Sequence, residues 1–165
     1  MQSIDLIREN LKRSKLLVLS NVEKMREHAM VFPTPQGGAH TLWLLGHLAY
    51  IEGLVIRGLM LGEMNPLAEW EEIFDGSEVS ANKSDYPPFD EVFEKCLEMR
   101  EQTITLLDSL SEEDLDGEGE NVPEGWEGTF GTYRQCFQFM ADHWYMHRGQ
   151  LADARRAAGL GRMWV

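Results

Sequence analysis

From Ser3 to Met30 the apolar positions Ile4, Ile7, Leu11, Val18, Val22, Met25 and Ala29 recur at three- and four-residue spacing. That period predicts an amphipathic helix, stopped by Pro33 and Pro35. After the corner Gly37-Gly38 a second helix is predicted from about His40 to Leu61, with Leu44, Leu48, Ile51, Val55 and Leu59 on one side. It is apolar almost all round and should be largely buried. Gly62 to Tyr86 has no clean period and carries Asn65-Pro66 and Asp75-Gly76, with Pro87-Pro88 at its edge, so it reads as a long connection. A third helix is expected over about Pro88 to Leu110, with Phe89, Phe93, Cys96, Thr103, Leu107 and Leu110 on its stripe. Ser111-Glu112-Glu113-Asp114 resembles a capping box for a short turn, and Asp116 to Gly128 is polar and glycine-rich, hence loop. The last helix runs from about Thr129 to Ala158, with capping-box spacing at Thr132 and Gln135 and Gly159 just past its end.

No stretch alternates as a strand would, and no segment repeats. Four long helices make an all-α four-helix bundle. The short first corner predicts that helices one and two are antiparallel neighbours. About 25 residues join helices two and three, more than an antiparallel hairpin needs. A 22-residue helix is roughly 33 Å long, and such a connection can return along it. An up-down-down-up order is therefore allowed.

At 165 residues the chain is expected to form one domain over 1–165. Twenty-eight acidic against 15 basic residues leave a net charge of −13, which argues against a nucleic-acid partner. Cys96 and Cys136 lie apart inside helical segments and read as small core residues of a reducing compartment. The N-terminus lacks a basic start and apolar run, and no segment reaches the roughly 18 apolar residues of a membrane span, so a cytoplasmic protein is expected.

Chemistry concentrates in three histidines. His143 and His147 form H-x-x-x-H, and i, i+4 side chains sit one above the other on a helix, where two imidazoles can share one ion. Both fall on the stripe Cys136, Met140, His143, His147, Leu151 and Ala154, so they point inward. His47 shares its side of helix two with Trp43, Tyr50, Ile51 and Leu54. As a third ligand it would leave an open coordination position, the arrangement of catalytic zinc. Nothing in the spacing makes the second and last helices neighbours.

The stretch Gly38-Ala39-His40-Thr41-Leu42-Trp43-Leu44-Leu45-Gly46-His47-Leu48-Ala49 and the run from His143 to Leu151, with its H-x-x-x-H-R-G-Q, resemble the DinB/YfiT-like superfamily of metalloenzymes. The resemblance places that family's metal histidines on His47, His143 and His147. It implies an up-down-down-up bundle, frequent dimerisation, and nickel, zinc or a similar divalent ion. Met146 stands where many relatives carry a further, non-ligating histidine.

Gln150 shares the face of the histidine pair and suits a hydrogen bond to a metal-binding histidine or to substrate, or equally a buried stitch between helices. Arg148 lies off the metal stripe, and Glu52, five residues from His47, is off its face and not a ligand. His28 and His40 read as surface or capping residues. Trp43, Tyr50 and Trp144 line either a pocket or the core. Three functions remain open: a metal-dependent enzyme transferring a low-molecular-weight thiol to a small-molecule substrate, as some relatives suggest, a metal-dependent hydrolase, or a non-catalytic, stress-associated metal-binding protein. No general base identifies itself beside the ligands, and a homodimer without membrane association is expected.

Overall fold

The computed structural model describes residues 2–76 and 78–163. The stripe of Ile4, Ile7, Leu11 and Val18 folds as α1 (Ser3–Val22), which tightens into a 3-10 helix over Glu23–His28 instead of continuing as an α-helix to Met30. Helix α2 (Thr41–Glu52) passes into a π-helical segment, Gly53–Met60. By length and composition this stretch would suit a membrane span, but 67% of its most apolar window is buried inside the bundle. It is a core helix. The long connection contains a 3-10 turn at Ala68–Trp70 and the single turn α3 (Glu71–Phe74).

Helix α4 (Phe89–Asp108) buries Val92, Cys96, Met99, Arg100, Thr103 and Leu107. Ser111 and Asp114 exchange backbone-to-side-chain bonds ahead of a 3-10 turn at Glu113–Asp116, as their spacing predicts. A separate turn, α5 (Glu127–Phe130), ends at Gly131, so the closing helix starts one turn later than expected, as α6 (Tyr133–Ala157). Its start is fixed by the reciprocal box of Thr132 and Gln135, and its end by Gly159 at φ 74°. Among the described residues there are isolated bridges but no strand.

The main packed pairs are α2 with α4 and α1 with α6, then α1 with α4 and α2 with α6. Helices α1 and α2 thus sit across the bundle, not side by side as the short corner suggested; residues 29–40 are long enough to cross its end. Ion pairs of Arg8 with Asp108, Lys15 with Glu101 and Arg26 with Asp90 run in opposite order along α1 and α4, so these two are antiparallel. Contacts of Glu52 with Arg100 and Arg57 with Gln102 run in the same order along α2 and α4, so this pair is parallel. The placement that matters for chemistry is α2 against α6.

Candidate metal centre

His47 projects from α2 toward His143 and His147 on α6. The ring centroids lie 5.1 Å apart for His47 and His143, 4.8 Å for His47 and His147, and 4.4 Å for His143 and His147. One nitrogen of each ring lies within 4.8 Å of the others, and the Nε2 atoms of His143 and His147 are 3.0 Å apart. The rings gather because His47 lies among buried residues of α2 and the other two on the buried stripe of α6; His143 and His147 are 7% and 6% exposed.

The outward nitrogens explain the orientation. His47 Nδ1 lies 2.6 Å from the Phe74 carbonyl, and His147 Nδ1 lies 2.6 Å from Gln150 Oε1. In each the ring N–H donates outward, and the Nε2 lone pair is left facing inward. The Phe74 carbonyl belongs to the last residue of α3, one of the acceptors a helix end leaves without an internal partner. Gly46 permits this seat, since a Cβ there would lie 2.2 Å from the Phe74 ring. Trp43 stacks on His47 at 4.7 Å and Phe139 on His143 at 5.4 Å.

His143 differs from the other two. Its Nδ1 is buried without a partner. With His147 Nε2 a lone pair, the 3.0 Å contact is a hydrogen bond only if His143 carries its proton on Nε2. Coordination through that nitrogen would require the other tautomer. All three rings are held neutral: burial lowers His143 to about 2, with its imidazole neighbours adding to the effect, and lowers His147 to about 4. His47 is lowered by burial as well, with the Phe74 carbonyl opposing. Three neutral imidazoles with converging nitrogens are a donor set suited to a divalent transition ion, once His143 takes the tautomer that frees its inward nitrogen.

A family profile described as the DinB superfamily matches residues 11–151. The chain belongs to the DinB superfamily. A DinB protein is thus what the two histidine stretches indicated, and the match spans all three rings. A conserved protein from Enterococcus faecalis, known from its crystal structure, superposes with a TM-score of 0.64 at 18% identity, covering 96% of this chain and 99% of its own. At that identity the likeness shows the shared fold. No curated protein matches the chain.

The remaining candidates of this DinB chain separate clearly. Gln150 is exposed and holds His147. His40 is fully buried, not on the surface: its Nδ1 caps α2 by accepting from the Trp43 amide, and its Nε2 faces the Ser80 carbonyl at 3.1 Å. His28 is half-buried, away from the three rings, in the last turn of the 3-10 helix that follows α1. Arg148 is half-buried with Nε unpartnered. Cys96 and Cys136 are free and buried; burial pushes the Cys96 thiol up and the Cys136 thiol to about 12.

Glu52 is no ligand, but neither is it incidental. It is 0% exposed and meets Arg100 Nε through both oxygens, at 2.9 and 3.1 Å. Trp144 Nε1 donates to it at 2.8 Å, and Arg100 reaches the Met140 carbonyl at 3.1 Å. Burial works against the charge on both groups, and their mutual attraction opposes that. Sequence reasoning overlooked Arg100. The signal was present: Cys96, Arg100, Thr103 and Leu107 share one stripe of α4, with a cation where an apolar residue belongs.

Proposed function

We propose that this protein binds one divalent ion, nickel or zinc, through Nε2 of His47, His143 and His147, and that the centre serves an enzyme transferring a low-molecular-weight thiol to a small electrophile. The observation that carries the reading is the convergence of three neutral imidazoles, two of them aimed inward by acceptors on their far nitrogens. Held by these three neutral rings, a divalent ion would keep its full charge and would supply acidification of a thiol brought to it.

The chain's own part is to orient and to shield. Phe74 and Gln150 fix two rings, and Trp43 and Phe139 wall the site with apolar surface. Thiol transfer is favoured over hydrolysis because a free thiol ionises near pKa ~8.5 and needs less help than water, and no acid or base is hydrogen-bonded to the inward nitrogens among the described residues. The thiol must come from outside, since both cysteines are buried with raised pKa. The substrate is accordingly a small molecule, and the expected assembly is a homodimer.

Elemental analysis of untagged protein tests the centre. About one ion per chain is expected in wild type and almost none in His147→Ala; equal contents would overturn the ligand set. A panel of thiols with electrophiles, set beside esters and amides, then separates transfer from hydrolysis.

A further inference from the structure

We infer that Glu52, Arg100 and Trp144 form a register clamp for the metal centre, positioning His47 of α2 against His143 and His147 of α6. This inference rests on the metal reading above. The clamp joins both helices that carry the histidines through a third: Glu52 is on α2, Arg100 on α4, and Trp144 and Met140 on α6. Glu52 follows His47 by five residues, and Trp144 is the residue after His143.

For stability alone this is an uneconomical device. Burying an ion pair costs several kcal/mol per charge, and well-packed apolar side chains of similar volume often do as well or better. Direction is what an apolar set would lack. Leucines and methionines tolerate small slides between helices, whereas two carboxylate oxygens facing one guanidinium, an indole N–H and a main-chain carbonyl accept one arrangement. A slip of one residue along α6 would move each side chain about 1.5 Å along the axis and turn it by about 100°, enough to separate the Nε2 atoms. The guanidinium carbon also lies over the Trp144 ring, 4.0 Å from its centre, which helps hold the indole next to His143.

The position of Glu52 along α2 strengthens the case. It is the last α-helical residue before the π-helical segment Gly53–Met60. At this junction Asn65 inserts, donating to the Tyr50 carbonyl at 3.1 Å and occupying the space where a Cβ on Gly53 would lie, 2.2 Å from its Oδ1. The widened turn weakens the link between the register of His47 and packing farther along α2, so an anchor at the boundary must do it. Glu52 is that anchor.

The test compares the ion-pair-free variant Glu52→Leu/Arg100→Met, which leaves no uncompensated charge, and Trp144→Phe, which removes the N–H donor and part of the indole but keeps an aromatic face. Each is titrated with nickel and with cobalt, and the visible cobalt spectrum is recorded beside helicity and unfolding midpoint. The clamp predicts native helicity in both, nickel affinity weakened at least about tenfold in the double variant and several-fold in Trp144→Phe, and altered cobalt bands. If the double variant does not fold, Trp144→Phe decides alone. Wild-type affinity and spectrum in a folded variant would overturn the clamp and leave the histidine centre standing. Absence of binding in wild type would remove the centre and, with it, this inference.

Discussion

The Glu52–Arg100–Trp144 cluster and the His47–His143–His147 cluster lie next to each other along α2 and α6, and both bury polar atoms in an otherwise apolar core. The first is held together within the protein: Glu52 Oε2 accepts from Arg100 Nε and Trp144 Nε1. Glu52 Oε1 lies 2.9 Å from Arg100 Nε as an ion pair, although Oε1 and Arg100 Nη1 have no hydrogen-bond partner of their own. The second is anchored on its outside at two of its three rings and open on its inside. The outer nitrogens of His47 and His147 are held by Phe74 and Gln150, that of His143 has no partner, and the inner Nε2 atoms face one another. A cluster whose opposite charges meet each other sets geometry, and one whose like donor atoms converge with no counter-charge has a place for something else. This difference separates a structural polar core from a site better than burial does, because both are buried.

The largest effect should come from opening the closed cluster on one side. Arg100→Ala leaves Glu52 as an unpaired buried carboxylate and should cost about 3–5 kcal/mol in denaturant unfolding. A loss under about 1 kcal/mol would mean the pair is not buried as charges.

Acidification should strike the open cluster next. Unfolded chains take up protons on histidine near pKa ~6.5, while burial holds His147 near 4 and lowers His143, His47 and His40 too. Below about pH 6.5 the unfolded state therefore binds more protons than the fold, so stability of ion-free protein is level above that pH and falls as pH decreases. His147 alone accounts for about 3 kcal/mol by the time the pH reaches its folded value. Unfolding midpoints measured in chelator between about pH 7 and about pH 5 check the sign. A flat profile would show the rings to be solvated.

Gly46→Ala should have an intermediate effect, because its Cβ would lie 2.2 Å from the Phe74 ring. A loss of about 1–3 kcal/mol is expected from overpacking, together with weaker nickel binding as the Phe74 carbonyl leaves His47. Loss of stability with intact binding would show that the carbonyl does not orient the ring.

These two clusters were not equally legible in the sequence. The histidine pair declares itself because an i, i+4 repeat on an apolar stripe is a local pattern, and the family resemblance supplies His47 from almost a hundred residues away. The four long helices were legible from period alone. The clamp was harder to see, because its charges sit on different helices and pair only once α2 lies beside α4. Periodicity could not show that α1 and α2 would be placed across the bundle, nor that Asn65 would widen α2 into a π-helical segment. Both depend on tertiary contacts. The break at Gly131 is hard to see for a different reason: the single turn Glu127–Phe130 directly precedes the Thr132–Gln135 capping box, and the two run together in the sequence pattern.

Gln150 offers the finest test, since it separates orientation of the open cluster from everything that holds the fold. It is exposed, and its side-chain oxygen accepts from His147 Nδ1 at 2.6 Å. Gln150→Ala should change stability by no more than about 0.5 kcal/mol, as for most surface substitutions. Nickel affinity should nevertheless fall about tenfold, the usual consequence of removing an acceptor behind a metal-bound imidazole. Gln150→Glu should retain or exceed wild-type affinity, because a carboxylate is the stronger acceptor and makes the ring more basic. The order Ala, Gln, Glu in rising affinity at constant unfolding midpoint would show that the rim tunes His147 without supporting the bundle. Affinity indifferent to all three side chains would mean that α6 alone aims His147, and the open cluster would then owe its geometry to the helices and not to its exposed acceptor.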